Sequence, residues 1–224
     1  LKSIHRKVIT KMKLTEAIRL TEEPLPPDWD ETMFSRGQTS YKKMIAYAKE
    51  RAQQVGRGSS RVAFIVPYQG RDTVLKVATN GKGLVQNEEE AELLDDPLVE
   101  QTGITIPMID ADEENGYELT WIHTEYAEKI TQKQLERFFG GIDMMDITMY
   151  INDKAGRGSR YARAPDIPDE VKNNPYYNAL ETLVGTFEIP AGDLARKANW
   201  GLYRGEPVII DLGYTDKTAE LYGR

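Results

Sequence analysis

Gly56-Arg57-Gly58-Ser59-Ser60-Arg61-Val62-Ala63-Phe64-Ile65-Val66, followed after Gln69-Gly70-Arg71-Asp72 by Thr73-Val74-Leu75-Lys76-Val77, is the stretch that decides how this chain folds. Two apolar runs rich in β-branched residues, separated by a polar segment containing glycine, predict a β-hairpin. One strand of it carries a lysine between apolar neighbours. An ammonium group in a buried strand is costly unless a carboxylate or phosphate partners it. The other reading is a lysine on the solvent face of a half-buried strand. Gly56 and Gly58 would let backbone N–H groups approach a phosphate closely, and the Ser59 and Ser60 hydroxyls would add donors. The competing reading is a plain structural turn. The stretch is not a Walker-type phosphate loop, because no Gly-Lys-Ser/Thr follows and the turn leads into a strand.

Upstream, Thr39 or Ser40 can cap a helix whose apolar positions Tyr41, Met44, Ile45, Ala48 and Ala52 recur at helical spacing until Gly56. Residues 1–38 combine a basic start, a short helix over Leu14–Leu20, and Pro24, Pro26 and Pro27, which interrupt regular structure; they are expected to form an extended arm able to meet a protein partner. Downstream, Asn80–Gly83 reads as a loop and Leu84–Leu94 as a helix. Glu88, Glu89, Glu90 and Glu92 are candidate partners for Lys76. Glu90 is chosen because it shares a core-directed face with Leu93 and Leu94.

Strands are expected over Ile104–Ile109 and Tyr117–Glu125 around an acidic turn. From Thr131, with Gln134 as its capping pair, the chain turns helical through Phe139 and again over Asp143–Asn152. A polar loop, Gly156–Asn174, precedes a helix from Pro175 to Phe187 and a final strand pair, Leu202–Tyr203 with Val208–Asp211. The loop carries Arg157, Arg160 and Arg163 beside Tyr161, and reads either as a flexible surface loop or as a contact for an anion or partner. The change from strand-rich to helix-rich near Glu128 divides the chain into the arm 1–38, an N-lobe 39–128 and a C-lobe 129–224. The fold class is α+β.

Bulk composition narrows the chemistry. The chain has 224 residues, is 40% hydrophobic and carries a net charge of -7, enough apolar content for a true core. The acidic balance argues against nucleic-acid binding through the whole surface. The absence of cysteine excludes disulfides, thiol catalysis and cysteine-bound metal, and the histidines His5 and His123 are isolated, so any metal would be held by oxygen. No apolar run is long enough to span a bilayer and the basic start lacks the apolar stretch of a secretory signal, so a cytoplasmic location is expected. Leu1 is not an initiator methionine, which points to processing or to part of a longer polypeptide.

The ordered set Gly-x-Gly-Ser-Ser-Arg-Val, Val-Leu-Lys76, the Glu helix, Glu125-Tyr126-Ala127, Gly192-Asp193-Leu194, Asn199 and Ile210-Asp211-Leu212-Gly213 resembles the protein-kinase-like fold. It is similar in flavour to short kinase-like proteins of tailed phages, and its Gly-Asp-Leu string to aminoglycoside phosphotransferases. The resemblance covers about residues 50 to 215 and implies a bilobal fold with an antiparallel-sheet N-lobe and a reduced helical C-lobe. It implies that Lys76 contacts the ATP phosphates and pairs with Glu90, and that the Glu125 carbonyl and Ala127 amide recognise adenine. It further implies that Asp193 is the base and that Asn199 and Asp211 bind Mg²⁺. Arg61 stands where the family has a third glycine, which would tighten the loop or add a phosphate contact. Asn199 follows Asp193 by one residue more than the family spacing, and Ala191-Gly192-Asp193 replaces His-Arg-Asp, so Arg196 or Lys197 would supply the positive charge.

The sequence ends shortly after Asp211, where the family would continue into a peptide-docking region, so binding or a reduced phosphotransfer is expected ahead of peptide phosphorylation. Three functions are therefore weighed: a compact ATP–Mg²⁺ phosphotransferase; a catalytically inactive kinase-like structural or interaction module, such as a virion component acting in a host cytoplasm or particle; and a nucleotide-binding regulator.

Overall fold

A computed structural model of the chain describes residues 25, 26, 28–35, 39–112, 118–158, 164–187, 189–213, 215 and 218. The expected hairpin is its centre. Strand β2 (Arg61–Tyr68) pairs antiparallel with β3 (Arg71–Ala78) from Arg61 opposite Ala78 to Tyr68 opposite Arg71. Gln69 and Gly70 close the hairpin with φ of 48° and 76°. Positive φ at both central positions is the turn geometry that matches strand twist, and glycine adopts it without strain.

A period of two then sorts the side chains of β3: Leu75 and Val77 enter the core, while Val74 and Lys76 face a cleft. Strands β1 (Gln53–Arg57), β4 (Met108–Ala111) and β5 (Trp121–Glu125) complete an antiparallel sheet of order β1-β2-β3-β5-β4. A helical part follows, so the architecture is α+β and bilobal, as the resemblance implied.

The first helix, α1 (Tyr41–Arg51), stops earlier than its periodicity predicts. Ala52 turns extended, with φ −142° and ψ 152°, and Gln53–Arg57 becomes β1 on the open edge of β2. Pairing along that edge satisfies backbone groups that further helical turns would have left to local bonds only, so tertiary context overrides propensity. The glycines consequently lie in a strand-to-strand hairpin and not at a helix end.

The extended-arm expectation is corrected for its described part. Leu25, Trp29 and Phe34 are buried against Met44 and Ala48 of α1 and against Val62, Phe64, Val66, Leu75, Val77 and Trp121 of the sheet. Trp29 and Phe34 stack at 5.9 Å, with Tyr47 edge-on to both, a geometry suited to ring quadrupoles. Three large apolar side chains within so short a span outweigh the prolines between them. The helix expected over Leu14–Leu20 lies outside the described residues.

Helix α2 (Gly81–Asp95) packs beside β3, capped by the Asn80 side chain on the Gly83 amide. After the short α3 (Pro97–Thr102), Ile104–Ile106 does not join β4 as expected. Its apolar residues enter the larger core, and its backbone meets the far end of the chain: Ile106 N donates to Ile209 O (3.0 Å) and Ile209 N to Ile104 O (2.6 Å).

That larger core is built by β6 (Glu128–Lys129), α4 (Gln132–Phe138), α5 (Met144–Lys154), α6 (Asp169–Lys172), α7 (Pro175–Phe187), α8 (Ala191–Leu194), β7 (Trp200–Tyr203) and β8 (Glu206–Ile209). The Thr131–Gln134 capping box starts α4 as read from sequence. Within the polar loop, Ile167 and Val171 are buried in this core; Arg160, Tyr161 and Arg163 lie outside the described residues. Leu94, Val99, Ile104 and Ile106 belong to this core although they precede Glu128, so the two cores interlock across the expected lobe boundary.

Candidate functional site

The glycine hairpin, β3, the Glu125–Lys129 crossover and the Asp193–Asp211 region enclose a cleft of 930 Å³. Its cationic lining residues are Arg57, Arg61, Lys76, Lys129, Arg196 and Lys197, against the acidic Glu125, Glu128, Asp193 and Asp211. In a chain of net charge -7, this excess of positive charge in one concavity favours an anionic ligand.

Neither glycine is demanded by packing: a Cβ on Gly56 would meet Ala63 Cβ at 3.4 Å, and one on Gly58 would meet Arg61 O at 3.7 Å, both ordinary contacts. Gly58 N donates to Arg61 O at 2.9 Å and closes the tip. Ser60 differs from its expected role. It is buried, its hydroxyl is bonded to the Gln86 side chain, and its carbonyl accepts from Thr79 N at 2.7 Å. Ser60 therefore fastens the hairpin to α2. Ser59 is exposed at the tip, its carbonyl accepting from Asn80 Nδ2 at 3.1 Å.

Glu90 is the acidic residue of α2 that reaches Lys76, with Lys76 Nζ 2.5 Å from Glu90 Oε1. The choice follows from helical spacing, which buries Glu90 beside Asn87, Ala91 and Leu94. Lys76 Nζ also donates to Ile210 O at 2.5 Å, tying β3 to the residue before Asp211.

Arg61 departs most from expectation. Its side chain runs inward: Nη1 lies 2.5 Å from Glu90 Oε2 and 3.3 Å from Asn87 Oδ1, and Nη2 lies 2.5 Å from Asp211 Oδ1. Burial alone would lower the guanidinium pKa, but the Glu90 and Asp211 carboxylates outweigh it and raise it, so Arg61 remains charged. Burial likewise opposes ionisation of Asp211, yet Arg61, Lys76 and the Gly213 amide hold its carboxyl below the usual carboxylate value. The four groups form an alternating row of cation and anion, Lys76–Glu90–Arg61–Asp211. Gly213 makes room for it, because a Cβ there would lie 2.9 Å from both Arg61 Nη2 and Gln86 O. Sequence reading missed this role of Arg61 and its supports Gln86, Asn87 and Gly213. The available signal was a single arginine opening an apolar strand.

The extra residue between Asp193 and Asn199 does not separate them. Helix α8 and a 3₁₀ turn over Lys197–Asn199 fold the segment back, and Asn199 Nδ2 donates to Asp193 O (3.0 Å) and Asp193 Oδ2 (2.9 Å). Arg196 Nη1 stands 3.4 Å from Asp193 Oδ1. Burial, then the charge of Asp211, raises the Asp193 pKa, against the opposing pull of Arg196, Asn199 and Arg61.

Glu125 and Ala127 line the cleft on the crossover. The Glu125 side chain pairs with Arg71 at 2.9 Å, and its N–H is taken by Pro107 O. Ala127 packs so closely on Gly201 that a Cβ there would stand 2.6 Å away.

At Asp211 Oδ1 the expected divalent ion has no place in this arrangement. Asp211 Oδ1 already faces a buried guanidinium, whereas the Asn199 amide donates to Asp193 through Nδ2, so its oxygen is the atom that could meet a cation. Among the described residues no group of three His, Asp or Glu side chains forms a metal cluster, and no helix is long and apolar enough to cross a membrane.

No protein-family model and no curated protein matches the chain. Solved structures similar to part of it include the aminoglycoside phosphotransferase APH(4)-Ia, at 16% identity and a TM-score of 0.27, covering 52% of this chain and 37% of that one. A thermostable mutant of the same enzyme, in ternary complex with AMP-PNP and hygromycin B, matches at 16% identity and a TM-score of 0.26, covering 47% and 33%. The chain thus spans about a third of the length of these structures. So partial a likeness carries no argument, and the reading of the cleft stands on strand order and side-chain geometry.

Proposed function

We propose that this chain is a kinase-like protein that binds a nucleoside triphosphate in the cleft and acts as a compact phosphotransferase. The observation that carries this reading is the cation-rich cleft wall with Lys76 fixed at its back by buried Glu90. The glycine tip would cover the phosphates, Lys76 would meet them, and the Glu125–Ala127 crossover would border the base. Asp193, held by Asn199, would take the proton of an acceptor hydroxyl as its oxygen bonds to the γ-phosphorus. The bond to the β-phosphate oxygen breaks, and the diphosphate leaves beside Lys76. Arg196 and Lys197 would offset charge building on the transferred group.

ATP should raise the melting temperature of the wild type, and Lys76→Ala should remove the shift. No shift in the wild type would defeat the nucleotide reading. Radiolabel transfer or ATP hydrolysis surviving in Asp193→Ala would show that Asp193 is not the base.

One observation favours a second reading, a nucleotide-binding module without turnover: the guanidinium of Arg61 sits on Asp211. ATP binding with no hydrolysis or transfer in the wild type would select that reading.

A further inference from the structure

The row Lys76–Glu90–Arg61–Asp211 leads beyond the assignment of a nucleotide cleft, and the step rests on that assignment for its ligand. Asp211 ends β8's strand direction at the cleft with its side chain 48% exposed, which is the placement a cation ligand requires. A cation already stands beside it, carried on a side chain of the protein. Arg61 Nη2 reaches Asp211 Oδ1 at 2.5 Å, while the same guanidinium is held from behind by Glu90 and Asn87.

Three features show that this contact is built in and not incidental. Arg61 is anchored in the β2–β3 ladder opposite Ala78, so its backbone cannot drift. Its side chain is 9% exposed and meets three oxygen partners, Glu90 and Asn87 on α2 and Asp211 beyond β8. Gly213, two residues beyond Asp211, leaves the space that the guanidinium fills. A divalent ion and a guanidinium each place positive charge on the same carboxylate oxygen, so the fixed Arg61 contact stands at Asp211 Oδ1 where a metal ion would.

We propose that Arg61 is the resident cation of this cleft: it holds the place at Asp211 that a divalent ion would take, so the site binds a nucleoside triphosphate without needing a metal. Arg57, Lys76, Arg196 and Lys197 then supply the remaining positive charge toward the phosphates.

The experiment has one arm with metal alone and one with ATP. Free Mn²⁺ is followed by electron paramagnetic resonance with the whole chain and no nucleotide. The wild type is expected to bind none at millimolar concentration, and Arg61→Gln is expected to gain one site that Asp211→Asn removes again. Mn²⁺ retained by the wild type and lost in Asp211→Asn overturns the proposal, as does a folded Arg61→Gln that gains no site. Should Arg61→Gln not fold, the wild-type measurements still decide.

In the second arm, calorimetric affinity of the wild type for ATP in EDTA is expected to lie within about threefold of that in Mg²⁺, and a gain of about tenfold or more with Mg²⁺ overturns the proposal. Absence of ATP binding in both buffers defeats the nucleotide assignment instead, and the Mn²⁺ arm then decides the role of Arg61.

Discussion

The side-chain amide of Asn199 donates to both the carbonyl and the carboxylate of Asp193, at 3.0 Å and 2.9 Å, across a six-residue step. This clasp sets the direction of a first prediction. Burial and Asp211 raise the Asp193 pKa, and the Asn199 hydrogen bond restrains that rise. If Asp193 is the base, its active form is ionised, so transfer should increase as pH rises through a midpoint above the ordinary carboxylate value. Asn199→Ala removes a stabiliser of the ionised form and should move that midpoint to higher pH. A pH–rate profile checks both, and a shift toward lower pH would contradict the assignment.

Glu90 stands between two cations in the interior. Replacing it with Gln leaves Lys76 and Arg61 facing each other across a neutral amide, and should cost about 3–5 kcal/mol of stability. Urea denaturation of Glu90→Gln against wild type measures this; a change below about 1 kcal/mol would show that the pair is solvated in solution.

The lowered carboxyl of Asp211 makes stability depend on acid. A carboxylate whose folded pKa lies below its unfolded value adds stability that is fully present above the unfolded value and is lost as pH falls through the folded one. The urea midpoints of wild type and Asp211→Asn should therefore differ at pH 7 and converge below the ordinary value of 3.8. A constant gap at all pH values would argue against a charged contact with Arg61.

Gly83 lies in the first turn of α2, where Gly→Ala on an open helix would stabilise by about 1 kcal/mol. Here the sign should reverse. A Cβ would collide with the Ser60 carbonyl oxygen and stand 3.0 Å from Ala78 Cβ, so Gly83→Ala is expected to destabilise by about 1–3 kcal/mol. Thermal unfolding gives the sign directly.

Phe34 is 1% exposed and packs on α1 and the sheet. Phe34→Ala should cost about 3–5 kcal/mol. Removal of residues 1–38 should then lower stability by a similar route, whatever it does to assembly with a partner. Truncated protein melting at the wild-type temperature would show that this segment is dispensable to the core.

The sequence carried much of this because local signals and tertiary structure agree along the central hairpin. Alternation around Leu75, Lys76 and Val77 fixes which face each side chain takes, and helical spacing singles out Glu90. The misses share one physical origin, competition for distant partners. Tyr41–Ala52 reads as helix through Gly56 because periodicity cannot reveal the open edge of β2. Ile104 and Ile106 read as strand for β4, yet a buried site beside Ile209 accepts them. Proline content made residues 25–35 look extended, while Trp29 and Phe34 carry enough apolar surface to fold them down. Arg61 was recognised as a departure, but which way a long side chain turns depends on Glu90 and Asp211, which are 29 and 150 residues away.

The two backbone bonds between Ile104–Ile106 and Ile209 have a mechanical consequence. A cleft between lobes joined only at one crossover can swing open like a hinged door. Here a second seam, sewn through main-chain atoms and lined by buried isoleucines, runs beneath the floor of the cleft beside the Glu125–Lys129 crossover. Two seams oppose that swing, and the glycine tip is itself tied to α2 and its cap through Ser59 and Ser60, so the cleft is pinned at its base on both sides.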